Sequence, residues 1–172
     1  MEPNLTKEKI LELYPDADIN ESGGLDNFRP DVRIVERDPI AVIIQHPTEN
    51  LYLIAKWSNG WCGFLTGGIE PGDTLQDTVR KEILEETGYK NVAEILPMNC
   101  VSHGLFYHTV KQVNRFAHYH LVFAKLANLE KQEVSEEELA IAKFVWMKKS
   151  DIEDTLTRRD MKKLWRFYLE SK

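Results

Sequence analysis

Opened by Asp73 or Thr74 and closed by Gly88, one stretch reads as a helix whose inward face changes chemistry along its length. With Leu75 at zero and ~100° per residue, Val79, Glu82, Glu86 and Glu85 fall at roughly 40°, −20°, 20° and −80°. The direction that carries Leu75 and Val79 into the fold therefore carries Glu82 and Glu86 one and two turns later. Inward carboxylates are costly unless neutralised, and the i, i+3, i+4 spacing gathers all three glutamates into one mutually repelling patch. A divalent cation resolves that repulsion. Oxygen donors with no His or Cys nearby in sequence favour a hard ion, Mg²⁺ or Mn²⁺, whose further ligands are commonly phosphate oxygens. The other reading is a solvated acidic helix, since Glu is a good helix former. Gly67-Gly68 before the helix and Gly88 after it suit a loop-helix-loop that lets backbone approach a ligand closely.

The surrounding chain supplies strands. Ala41 to Ile44 and Leu51 to Ala55 are apolar runs of strand length separated by Pro47-Thr48-Glu49-Asn50, which predicts a hairpin buried on both faces. Ala93 to Val101, Arg115 to Lys125 and Phe144 to Met147 read as further extended segments. Residues 15–30 and 57–63 read as loops, and Gly67-Gly68 with Pro71-Gly72 as a turn. A short helix follows an N-cap at Thr6 and stops near Pro15. A last helix carries Met161, Leu164, Trp165, Tyr168 and Leu169 at i, i+3, i+4, i+7 and i+8, with Arg158, Arg159, Lys162, Lys163 and Arg166 read as its solvated face. Strands mixed with helices at both ends and in the middle predict an α+β or three-layer fold.

With 172 residues and no linker, the chain reads as one domain: residues 1–30 as an N-terminal helix and loop belonging to the same unit as residues 31–172. Two cysteines in no ligand spacing make a disulfide framework or structural zinc unexpected. A net charge of −6 argues against stable nucleic-acid binding, though not against a single nucleotide as substrate. No apolar run approaches a membrane span. Met1-Glu2-Pro3-Asn4 does not begin a secretory leader, so the expected location is the cytoplasm.

GGIEPGDTLQDTVRKEILEETGY, residues 67–89, resembles the Nudix box: G, five residues, E, seven residues, then R-E-U-x-E-E-x-G-U, where U is bulky and apolar. Gly67, Glu82, Ile83, Glu85, Glu86 and Gly88 match in register, and Tyr89 takes the last apolar place. Asp73 stands where the family has Glu, and Lys81 where it has Arg. The resemblance implies the Nudix α/β/α sandwich with a mixed sheet and a loop-helix-loop catalytic motif. It also implies Mg²⁺- or Mn²⁺-dependent hydrolysis of a nucleoside diphosphate linked to another moiety X. By the same carry-over Glu82, Glu85 and Glu86 would bind metal, Gly67 would add a backbone carbonyl, and Lys81 would help orient the box. Lys offers only a point charge where Arg offers a bidentate fork, and Asp is a methylene shorter than Glu. A wider similarity, over roughly residues 34 to 168, is to Nudix-type domains associated with some bacterial leucyl-tRNA synthetases. It rests on Phe106-Tyr107-His108, Val113 to His118, Val134 to Glu138 and Val145-Trp146.

Family members often take a further catalytic Glu from a loop beyond the box, and Ser135-Glu136-Glu137-Glu138-Leu139 resembles that loop, with Glu137 and Glu138 as candidates. The same residues also read as a helix cap, Ser135 with Glu138 three residues on. Trp61 could stack a base, Arg115 could meet a phosphate, and Tyr107 lies about where dinucleoside polyphosphate hydrolases of the superfamily carry a Tyr. Core packing or surface charge accounts for each equally well. His118 and His120 share a strand face at i, i+2, a spacing that suits a phosphate or metal but reads more simply as hydrogen-bonded sheet neighbours. The expected partner is a nucleotide-type small molecule, with no membrane and with a homodimer left open. The alternative function is a non-catalytic or accessory domain recognising a nucleotide, adenylate or tRNA-related partner.

Overall fold

The computed structural model describes residues 5–172; the Met1–Asn4 start, on which the reading of a leaderless chain falls, lies outside the described residues. Thr6 caps α1 (Lys7–Leu13), its side chain accepting from Lys9 N. The strands that follow are β1 (Asp18–Ile19), β2 (Ile34–Arg37), β3 (Pro39–Gln45), β4 (Leu51–Trp57), β5 (Cys62–Gly63) and β6 (Leu65–Gly68). Next come α2 (Leu75–Thr87), β7 (Val92–His108), β8 (Val113–Leu126), α3 (Glu136–Ile141), β9 (Ala142–Lys148), α4 (Lys149–Thr155) and α5 (Arg159–Glu170).

The nine strands of the described residues form one mixed sheet, ordered β1-β7-β8-β3-β4-β5, with β2 on β8, β6 on β3 and β9 on β4. The pleat sorts side chains to two faces. Ala117, Tyr119, Leu121 and Phe123 of β8 face Met161, Leu164, Trp165 and Tyr168 of α5. Their neighbours Val122, Ala124 and Leu126 face Val79 and Ile83 of α2, and Phe116 and Leu105 meet Ile10 of α1. The result is an α/β/α sandwich.

The β3–β4 hairpin forms as its apolar runs predict, with the β3 interior buried on both faces. Several short elements depart from the sequence expectation. The loop expected over 15–30 contains β1, which adds in parallel to β7 through Asp18↔Gly104. Gly67-Gly68, expected in a turn, lie in β6 and pair with Ile40 and Pro39. Cys62–Gly63 pair with β4, and β7 continues seven residues beyond Val101 to His108. β1 and β6 are held by partners distant in sequence, which local patterning does not register, whereas β5 and the end of β7 close short hairpins with β4 and β8. Among the described residues no helix is long and apolar enough to cross a membrane.

The carboxylate helix and candidate active site

Helix α2 starts where Thr74 accepts from Asp77 N at 3.1 Å and returns its hydroxyl to the Asp77 carboxylate at 2.6 Å. It ends at Gly88, whose φ of 77° is the left-handed conformation that costs Gly least. A side chain at Gly88 would also collide with the Gln132 carbonyl. That close approach lets Gln132 N donate to Gly88 O at 2.9 Å and Lys90 N to Glu130 O at 3.1 Å, tying the 130–134 segment to the end of α2. The tie delivers α3 to the box. Ser135 caps α3 by accepting from Glu138 N at 3.2 Å, so the capping reading of this segment is realised.

Glu82 and Glu86 are half-buried and Glu85 is exposed, the order that the helical wheel gives. Burial pushes the Glu86 carboxyl up to about 8, with repulsion from Glu82 and Glu138 adding to it. Burial, then Glu85, also raises Glu82. Both shifts have the sign expected of carboxylates pressed together in a poorly hydrated place. Glu138, half-buried, is one of the charges acting on this pair; Glu137 is exposed and is not.

Gly67 gives Glu82 its space: a Cβ there would stand 2.6 Å from Glu82 Oε1 and 2.5 Å from its Cγ. Lys81 donates to Glu70 at 3.0 Å rather than to Asp73, which acts on it only at longer range. Among the described residues no three His, Cys, Asp or Glu side chains converge as a ready cation cage. The donor set nevertheless fits a hard divalent ion: inward oxygens, mutual repulsion awaiting a counter-charge, and a Gly backbone brought against Glu82.

The expected substrate residues fall on two sides of the sheet. The Trp61 ring lies 5.3 Å from Phe106, edge-on, and 4.4 Å beneath the Arg158 guanidinium. Arg115 pairs in register with Phe106 and alternates onto that same α5-facing side. Tyr107 is buried on the other side under Arg29, whose guanidinium sits 3.6 Å from its ring. It is six residues along β7 from Val101, the residue that shares a cross-strand row with His120, Ile40 and Gly67, so the structure does not bring Tyr107 to the box.

Arg158 corrects the reading of the last helix as having a wholly solvated basic face. It is 6% exposed and bonds Asp160 Oδ2 at 2.6 Å. Nothing local in the sequence announces this, because its walls, Trp61, Phe106 and Asp18, come from distant segments.

Residues 33–168 match the family model of the NUDIX domain. The chain belongs to that family and is a member of the Nudix hydrolase superfamily. A comparison with curated proteins found no match. Among solved structures, the E. coli dihydroneopterin triphosphate pyrophosphohydrolase superposes with a TM-score of 0.59 at 10% identity, over 78% of this chain and 96% of that one. The NUDIX domain of Shewanella oneidensis NrtR, in a cocrystal with ADP ribose, gives 0.58 at 14% identity, over 97% and 99%. A C. elegans Ap4A hydrolase gives 0.52 at 16% identity, over 78% and 96%. At these identities the likeness is one of fold.

Proposed function

We propose that the chain is a Mg²⁺- or Mn²⁺-dependent hydrolase that cleaves a pyrophosphate bond in a nucleoside diphosphate linked to another moiety. The observation that carries this reading is the inward pair Glu82 and Glu86, held together at the cost of a Glu86 carboxyl raised to about 8. A protein that merely needed a helix here would gain stability by replacing them, so their retention fits a site. Glu82, Glu86 and the Gly67 carbonyl would hold the metal, with Glu85 and Glu138 at its margin. When bound, such an ion neutralises phosphate charge and makes a coordinated water more acidic.

The chain's own residues orient and enclose. Thr74 and Gly88 fix the two ends of α2 and so aim the carboxylates. Lys81, by holding Glu70, steadies the loop that leads into the helix. Glu138 is placed to accept a proton, with Glu137 beside it on α3. Trp61 and Arg115 lie on the α5-facing side of the sheet, opposite the α2 carboxylates, and Tyr107 six residues along β7 from the box row, so none of the three is assigned to the substrate of this site. We place the protein in the cytoplasm, without stable nucleic-acid contacts, with residues 1–30 and 31–172 as one unit and a homodimer as one assembly it could adopt. The packing of Ile10 against Leu105 and Phe116 supports the single unit.

The turn of Lys81 to Glu70 rather than to Asp73, at the two positions that depart from the box, favours a second reading, an accessory domain that recognises a nucleotide, adenylate or tRNA-related partner. Incubation with Mg²⁺ or Mn²⁺ and a panel of nucleoside triphosphates, dinucleoside polyphosphates, nucleotide sugars and aminoacyl adenylates separates the two. Phosphate release that disappears in Glu86→Gln and Glu85→Gln establishes the hydrolase. Silence from a folded, metal-loaded chain that still binds nucleotide selects the accessory domain.

A further inference from the structure

On the sheet face that carries α2, a cleft of about 360 Å³ is lined by Tyr14, Glu36, Asp38, His103, His118 and His120. The register explains why these residues meet. Glu36 pairs with Phe116 and Ile40 with His120, so β2 and β3 continue one another beside β8 and set a carboxylate column against a histidine column. His103 pairs with His118 from the other side.

Two of the imidazoles are tethered by a carboxylate on Nε2: His118 by Glu36 at 2.8 Å and His120 by Asp38 at 3.3 Å. A neutral imidazole that gives its one N–H to a carboxylate must present a lone pair on the other nitrogen. That outer carboxylate is the arrangement that metal-ligating histidines use to fix tautomer and orientation. The Nδ1 of His118, so oriented, faces His103 Nδ1 at 2.8 Å. Two ring nitrogens at that separation need either one shared proton or one shared cation. Tyr14 backs the pair, its ring 4.3 Å from His103 and 5.3 Å from His118.

We propose that this cleft binds one borderline divalent transition ion, of which Zn²⁺ is the representative, through Nδ1 of His103 and Nδ1 of His118. Nitrogen donors select this class over the hard ions suited to the α2 carboxylates. Two nitrogens on a tetrahedral ion with ~2.1 Å bonds stand ~3.4 Å apart, so the pair has to open by roughly 0.6 Å. Cleft space permits that. Water completes the shell, and His120, two residues along the same strand face, stays with Asp38. The site is independent of the hydrolase reading, since it shares no ligand with α2.

Calorimetric titration of the full chain with Zn²⁺ in excess Mg²⁺ tests the proposal, alongside His118→Ala, His103→Ala, Glu82→Gln and, as a control, His108→Ala. One zinc equivalent is expected in the wild type, bound at least tenfold more weakly by His118→Ala and His103→Ala and unchanged in Glu82→Gln and His108→Ala. Loss in Glu82→Gln with retention in both histidine variants puts the ion on the box carboxylates and overturns the site. Should either alanine variant fail to fold, histidine ring ¹⁵N shifts of the wild type decide. Zinc must move Nδ1 of His103 and His118 together, and a shared proton undisturbed by zinc refutes the proposal.

Discussion

Gly67 and Glu82 share one volume: the Glu82 carboxylate stands where a side chain on residue 67 would begin. The box therefore needs glycine there for a packing reason as well as for its carbonyl. Gly67→Ala is expected to destabilise the fold by about 1–3 kcal/mol, the usual cost of overpacking, while forcing Glu82 out of its inward rotamer. Urea denaturation and the Mg²⁺ dependence of phosphate release check the two halves. A variant that keeps wild-type metal dependence would show that Glu82 does not need this position.

Glu86 is the most strained carboxyl of the box, and its removal should separate stability from activity. Glu86→Gln keeps the volume and abolishes the repulsion from Glu82 and Glu138. In metal-free buffer at neutral pH the variant is expected to be more stable by about 1–3 kcal/mol, the scale of a buried carboxylate's desolvation and repulsion. Hydrolysis should fall at least a hundredfold. Thermal melts with and without Mg²⁺ read the crossover: added metal should raise the melting temperature of the wild type more than that of the variant.

What the sequence displays best is what is local. The caps of α2, Thr74 and Gly88, lie next to the turns they close, and the wheel that puts Glu82 and Glu86 inward needs only helical periodicity. The Ser135 cap of α3 is legible for the same reason. The two-residue strand β1 is not, because Asp18 becomes a strand only by pairing with Gly104. The site divides in the same way. Its helix is readable, whereas the approach of Glu138 depends on Gln132 reaching Gly88 through the fold. Glu36 and Asp38 meet their histidines across 82 residues of sequence, a distance at which spacing carries no information.

Tyr89 closes the box and also anchors β9, its hydroxyl accepting from Trp146 Nε1 at 2.9 Å. Tyr89→Phe leaves a half-buried indole N–H without this acceptor. The expected cost is about 1–2 kcal/mol in chemical denaturation, with the α2 carboxylates undisturbed. The Trp146 fluorescence maximum should shift as the indole loses its partner. An unchanged spectrum together with unchanged stability would mean that water replaces the hydroxyl freely.

The Arg158–Asp160 pair gives the sharpest stability prediction, because both charges are buried and neither can be rescued by solvent. Arg158 Nε and Nη2 grip the Asp160 carboxylate, Trp61 and Phe106 cover the guanidinium, and Nη1 has no partner among the described residues. Asp160 in turn accepts from Met161 N at 2.7 Å at the start of α5. Arg158→Ala strands that carboxylate and is expected to cost about 3–5 kcal/mol. Arg158→Met combined with Asp160→Asn removes both charges and should cost less than the single alanine change, since the remaining carboxylate, Asp18, keeps its hydrogen bond from Arg159 N. Urea denaturation of both variants and the wild type compares the two costs. A cost below about 1 kcal/mol for Arg158→Ala would show that water reaches the pair and that the Trp61 wall is open in solution.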